Sequence, residues 1–114
     1  MASTRENKVS RMLQRELGEY FQRESRRLFD GKMITVTHVR ISPDLVQARV
    51  YLSVFLTGEK EKFIQYVNSI EGQIRFEIGK KIRHQVRKIP EFTFFLDDSL
   101  DYIDNIDRLL NEDE

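Results

Sequence analysis

The stretch SIEGQIRFEIGKKIRHQVRK, residues 69–88, carries three cations, Lys80, Arg83 and Arg87, at intervals of three and four, with Phe76 one step before them. At about 100° per residue these four fall on one side of a helix, while Ile74, Ile78, Ile82 and Val86 run along the other. Cations at that spacing can hold phosphate oxygens through charge-assisted hydrogen bonds, and a flat ring beside them can stack on a base. Arg75 and Lys81 add charge to the same segment. A helix that binds nothing also exposes lysine and arginine, so this face alone fits mere solvation equally well. A second group, Lys8, Arg11, Arg15 and Arg26, lies opposite the apolar stripe of an earlier helical segment, interrupted by Glu19. Two basic faces together make the electrostatic footprint expected of an RNA-contacting protein.

Catalytic chemistry finds few candidates. His38 and His84 are the only imidazoles and there is no cysteine, which removes thiolate nucleophiles, disulfides and cysteine-based zinc sites. No glycine-rich phosphate loop follows a strand, and no paired-histidine spacing occurs. Asp97, Asp101 and Asp104 recur on a helical surface but lack the glycine turn that gathers oxygen ligands around a hard cation. The sequence therefore predicts a binding protein with no catalytic residue, metal or cofactor.

The net charge of zero conceals an uneven distribution: residues 1–96 carry +7 and residues 97–114 carry −7. A basic body can contact phosphates while an acidic tail preserves solubility. With 114 residues, 39% of them hydrophobic and 33% charged, the chain suits one soluble domain, here placed at residues 1–98, followed by an acidic helix and tail at 99–114. No apolar run long enough to span a bilayer and no secretory signal pattern is present, which predicts a cytoplasmic protein without a membrane partner.

Several elements must position the cations. Val9, Met12, Leu13, Leu17, Tyr20, Phe21 and Leu28 form one stripe and predict a helix over 5–28, ended by Gly31. Residues 33–41 and 47–55 are β-branched and aromatic, and Ser42, Pro43 and Asp44 supply the turn of an antiparallel pair. In the second strand Ala48, Val50, Leu52 and Val54 should face the core, with Arg49 and Tyr51 outward. A further helix starts near Thr57 or Gly58 and buries Phe63, Val67 and Ile70. Gly72 lies where two helical stripes meet and marks a break, which could expose amide groups to phosphate or simply bend the helix around the core. The pattern resumes through Val86 and stops before Pro90, and residues 91–96 form a third strand parallel to the second. Leu100, Ile103, Ile106 and Leu110 predict a C-terminal amphipathic helix over 99–110. The result is an α+β domain in the order αββααβ, with helices on one face of a small mixed sheet.

Three segments together, VSRMLQREL (9–17), VTHVRISPDLVQARVYLSVF (36–55) and EGQIRFEIGKKIRHQVRKIPEFTFFLDDSL (71–100), resemble the ribosome-binding factor A family. The resemblance spans about residues 5–100. It implies a type II KH-like domain with a kinked helix pair, acting as a non-catalytic assembly factor. Such a factor binds the free small (30S) subunit, assists late rRNA maturation including 5′-end processing of 16S rRNA, and supports growth in the cold. The implied partners are small-subunit rRNA and ribosomal proteins, approached as a monomer. In that family the KH glycine loop is replaced by a kink at Ala-x-Gly, which falls here on Ile70, Glu71 and Gly72, with isoleucine in the alanine position. The implied RNA contacts are Lys80, Arg83 and Arg87, with Lys81 and Arg75 beside them and Lys8, Arg11 and Arg15 as a second line.

A competing reading takes residues 99–110 as a protein-interaction helix, docking in a partner's groove or covering the chain's own sheet beside Tyr51 and Phe95. A third, an RNA-recognition-motif sheet reading bases on those two rings, needs four strands where three are counted.

Overall fold

The computed structural model describes residues 4–54 and 59–97. The predicted helix over 99–110, and the predicted cap at Thr57 or Gly58, lie outside them. The first helix, α1 (Thr4–Arg23), buries Leu13, Leu17, Tyr20 and Phe21, with Val9 and Met12 packed at the margin. It ends earlier than its stripe suggests. Glu24 leaves helical geometry at φ −93° and ψ 7°, and a four-residue helix, α2 (Ser25–Leu28), follows. This turn brings Phe29 into the core, 5.3 Å from the Phe21 ring centroid. Around it the Glu24 carboxylate holds Arg27 at 2.6 Å and Arg23 at 3.6 Å, which keeps the Glu24 carboxyl below its ordinary pKa. Gly31 at φ 75° then reverses the chain, its N–H donating to Ser25 O at 2.9 Å, a conformation that glycine adopts without strain.

Strands β1 (Ile34–Ile41) and β2 (Gln47–Val54) pair antiparallel, and β3 (Glu91–Leu96) pairs parallel to β2, so the strand order is β1-β2-β3. Ala48, Val50, Leu52 and Val54 are buried as the alternation requires. Phe92 and Phe94 join them from β3. The register slips between Val36 and His38, leaving Thr37 as a bulge. Gln14 on α1 donates to Val36 O at 3.1 Å there and ties the outer edge of β1 to the helix.

The β1–β2 connection is closed by Ser42 and Asp44. Ser42 Oγ donates to Asp44 Oδ1 at 2.6 Å and accepts from Gln47 N–H at 3.0 Å, while Asp44 also accepts from Val46 N–H at 3.1 Å. These bonds, chiefly the one from Ser42, lower the Asp44 carboxyl pKa. A carboxylate lowered in this way adds stability above its unfolded pKa and loses that contribution as pH falls through the lowered value. Ser42→Ala is therefore expected to raise the Asp44 titration midpoint, read by carboxyl carbon NMR. An unchanged midpoint would assign the shift to the backbone instead.

Helices α3 (Lys60–Ser69) and α4 (Glu71–Ile82) complete the layer over the sheet. Glu59, at φ 52°, precedes α3, whose Phe63 and Val67 are buried, and α4 buries Ile74, Ile78 and Ile82. The sequence pattern carries a helix on through Val86, but α4 ends at Ile82. The last bonds tighten, with Gln85 N–H donating to Ile82 O at 2.8 Å, because the chain must return to start β3 beside Gln47. Pro90 is fully buried at that entry, and its ring holds Ile89 out of helical geometry. Helices on one face of a three-stranded mixed sheet give the α+β fold expected of the KH-like order.

Candidate nucleic-acid interface

Helices α3 and α4 meet at Ile70, whose φ of −106° and ψ of 18° interrupt the ladder. The break precedes Gly72, which occupies the first turn of α4. Ile70 is half-buried against the core, so the β-branched side chain serves as a packing hinge between the two helices. Glu71 is fixed, its carboxylate accepting the Phe92 N–H of β3 at 2.9 Å and pairing with Arg75 at 3.3 Å. No side chain caps the N-terminus of α4, an end that favours anions.

From this junction a shallow groove of about 440 Å³ runs along α4. Its walls are Arg75, Phe76, Lys80 and Arg83, its base Gly72, Gly79 and Ile89. The spacing of 72, 76, 79, 80 and 83 is that of one helical face. Phe76 is 65% exposed, and Lys80 Nζ stands 5.0 Å from its ring centroid. Such a contact is worth about 0.5–1 kcal/mol at an exposed site, enough to hold the ammonium beside the ring. A Cβ on Gly72 would meet nothing within 4 Å, so the helix surface is bare there. A Cβ on Gly79 would lie 3.4 Å from Ile89, which returns across the helix at that point.

The predicted cations separate. Lys80 and Arg83 line the groove together. Arg75 lines it too, but its guanidinium is drawn into a network, 3.3 Å from Glu71 and 3.7 Å from Glu91, that fastens α4 to β3. Lys81 is exposed on α4 outside the groove lining. Arg87 is exposed but belongs to the turn after α4, so it does not continue the helical face, contrary to the periodicity. Lys8, Arg11 and Arg15 are exposed along α1, away from the groove lining. Arg11 shares a depression with His38, Arg40 and Pro43 beside β1. Sequence reasoning missed Ile89 and assigned Gly79 no task beyond packing or a bend. The spacing of the two glycines, one pair of turns apart, was the available signal.

The sequence model of the ribosome-binding factor A family matches residues 5–110. The chain belongs to that family. Ribosome-binding factor A of Cytophaga hutchinsonii is 40% identical over 112 residues, which cover 98% of this chain and 84% of that protein. The crystal structure of ribosome-binding factor A from Thermus thermophilus aligns with a TM-score of 0.66 and 26% identity, covering 80% of this chain and 94% of that one. A Thermus thermophilus ribosome-binding factor A fitted into the cryo-EM map of a 30S complex aligns with a TM-score of 0.60 and 28% identity, over 75% of this chain and 88% of that one. Within the ribosome-binding factor A fold, the glycine, phenylalanine and cation face of α4 lies immediately after the helix break. Among the described residues no group of histidines and carboxylates could hold a metal ion, and no helix is long and apolar enough to cross a membrane.

Proposed function

We propose that this protein binds the free 30S ribosomal subunit and assists late maturation of 16S rRNA, including processing of its 5′ end, without catalysing a reaction itself. The observation that carries this reading is the α4 groove, where an exposed Phe76 is flanked by Lys80 and Arg83 over a helix surface left bare at Gly72. A single-stranded rRNA segment fits that chemistry: one base stacks on Phe76, and adjacent phosphates meet Lys80, Arg83 and the uncapped start of α4. Family membership and the relative placed in a 30S complex support the choice of the small subunit. Lys8, Arg11 and Arg15 supply a second line of phosphate contacts, Lys81 and Arg87 flank the first, and small-subunit ribosomal proteins complete the contact surface. The factor works in the cytoplasm as a monomer and matters most in the cold, when misfolded rRNA is slow to rearrange.

Titration of the full chain onto purified free 30S subunits at several salt concentrations tests this function. Binding should weaken with salt, and Arg83→Ala should lower the log–log slope by about 0.7–0.9 through loss of one phosphate contact. An undiminished slope would remove Arg83 from the interface, and absence of binding by the native chain would overturn the function.

A further inference from the structure

The helices cover one face of the sheet, and the opposite face carries an aromatic row. The register sets His38 beside Tyr51 and Tyr51 beside Phe95, with ring centroids 5.8 and 5.5 Å apart. Phe95 is 38% exposed. One step along the strands Arg40 stands directly opposite Arg49, a like-charge pair that destabilises the sheet unless an anion lies over it. The face therefore asks for a cover that is apolar along one line and acidic along the next.

The end of β3 points to the source of that cover. Asp97 N–H continues the ladder to Leu52 O at 2.8 Å, and the Asp97 carboxylate accepts a hydrogen bond from Thr37 Oγ1 in the bulge of β1, two strands away. Asp97 follows Phe95 by two residues and so projects on the same face. The chain beyond it starts on the aromatic face, directed across β2 towards β1. Its residue pattern is complementary to that face: Leu100, Ile103, Ile106 and Leu110 share one helical stripe, Asp104 and Asp107 run along one edge of it, and residues 98–114 hold seven carboxylates and one arginine. A helix over 99–110 would extend about 18 Å, enough to cross three strands spaced about 4.8 Å apart.

We propose that residues 98–114 fold back over the outer face of the sheet, with the leucine and isoleucine stripe on His38, Tyr51 and Phe95 and the acidic edge over Arg40 and Arg49. The segment neutralises the arginine pair and keeps the outer face from competing with the α4 groove for anions.

Because the chain has no cysteine, Asn105→Cys gives a unique attachment point for a nitroxide on the full chain, on the side of the helical pattern away from the stripe. Paramagnetic broadening should remove most of the NMR intensity of the His38, Tyr51 and Phe95 ring signals and leave buried side chains of α1 and α3 at near full height. Adding Arg40→Glu with Arg49→Glu should restore the ring signals. Weak, uniform broadening overturns the proposal, as does broadening centred on α1 or the α4 groove. Ring broadening that survives the double reversal overturns the charge pairing. Ring shifts that arise only on adding 30S subunits or an RNA oligonucleotide assign the face to nucleic acid and overturn the proposal as well.

Discussion

Asn68→Ala is expected to destabilise the fold by about 2–4 kcal/mol, read as a lower urea midpoint at unchanged slope, because two buried backbone groups lose their partners. Asn68 lies in the last turn of α3 and faces the free edge of β3. Its Oδ1 accepts the Phe94 N–H at 2.8 Å, and its Nδ2 donates to Phe94 O at 3.0 Å and to Ile64 O at 3.2 Å. Phe94 is 1% exposed, so water cannot replace the amide. Asn68→Asp keeps the acceptor but loses both donations and should fall between the native chain and the alanine variant. If alanine and native chains melted alike, the amide would not be what holds this edge. Glu71 treats the next free group of β3 in the same way at Phe92. The junction between α3 and α4 thus closes a sheet edge that would otherwise invite pairing with another chain, and the same attachment fixes the direction in which α4 leaves Ile70.

The strands and the helical stripes were legible in the sequence because each obeys a local period. Val50 and Leu52 are fully buried where alternation put them, and Leu13 and Leu17 where the helical stripe put them. The departures all depend on distant partners. The end of α1 at Arg23 follows from the need to seat Phe29 against Phe21 and Phe63. The end of α4 at Ile82 follows from the register of β3 with β2, which no periodicity within residues 74–86 encodes. Arg87 therefore left the cationic face, although the pattern of isoleucines and Val86 continued past the helix. Of the candidate interface, Phe76, Lys80 and Arg83 were readable from helical spacing alone. The engagement of Arg75 with Glu91 was not, since those residues are separated by the whole turn into β3. Asn68 carried no signal at all: a single asparagine on a helix becomes informative only when the strand beside it is known.

The largest effect on binding is expected from Phe76→Ala combined with Lys80→Glu and Arg83→Glu. Loss of a stacked base is worth about 1–3 kcal/mol, and two reversed charges remove two phosphate contacts and add repulsion, so affinity for the free 30S subunit should fall roughly a hundredfold or more at moderate salt. The fold should survive, because all three side chains are exposed and only the Lys80 contacts to Glu77 and Phe76 are lost, a change of about 0.5 kcal/mol. The components are separable by salt. Phe76→Ala alone should lower affinity at every salt concentration and leave the slope unchanged, since stacking releases no counterions, whereas the two charge reversals alone should flatten the slope by about 1.4–1.8. A folded triple variant that binds with native affinity and slope would move the interface from α4 to another surface. The candidates would then be the cations of α1, where Arg11 stands with Arg40 and His38 beside β1, and reversal of Arg11 and Arg15 would be the decisive next measurement.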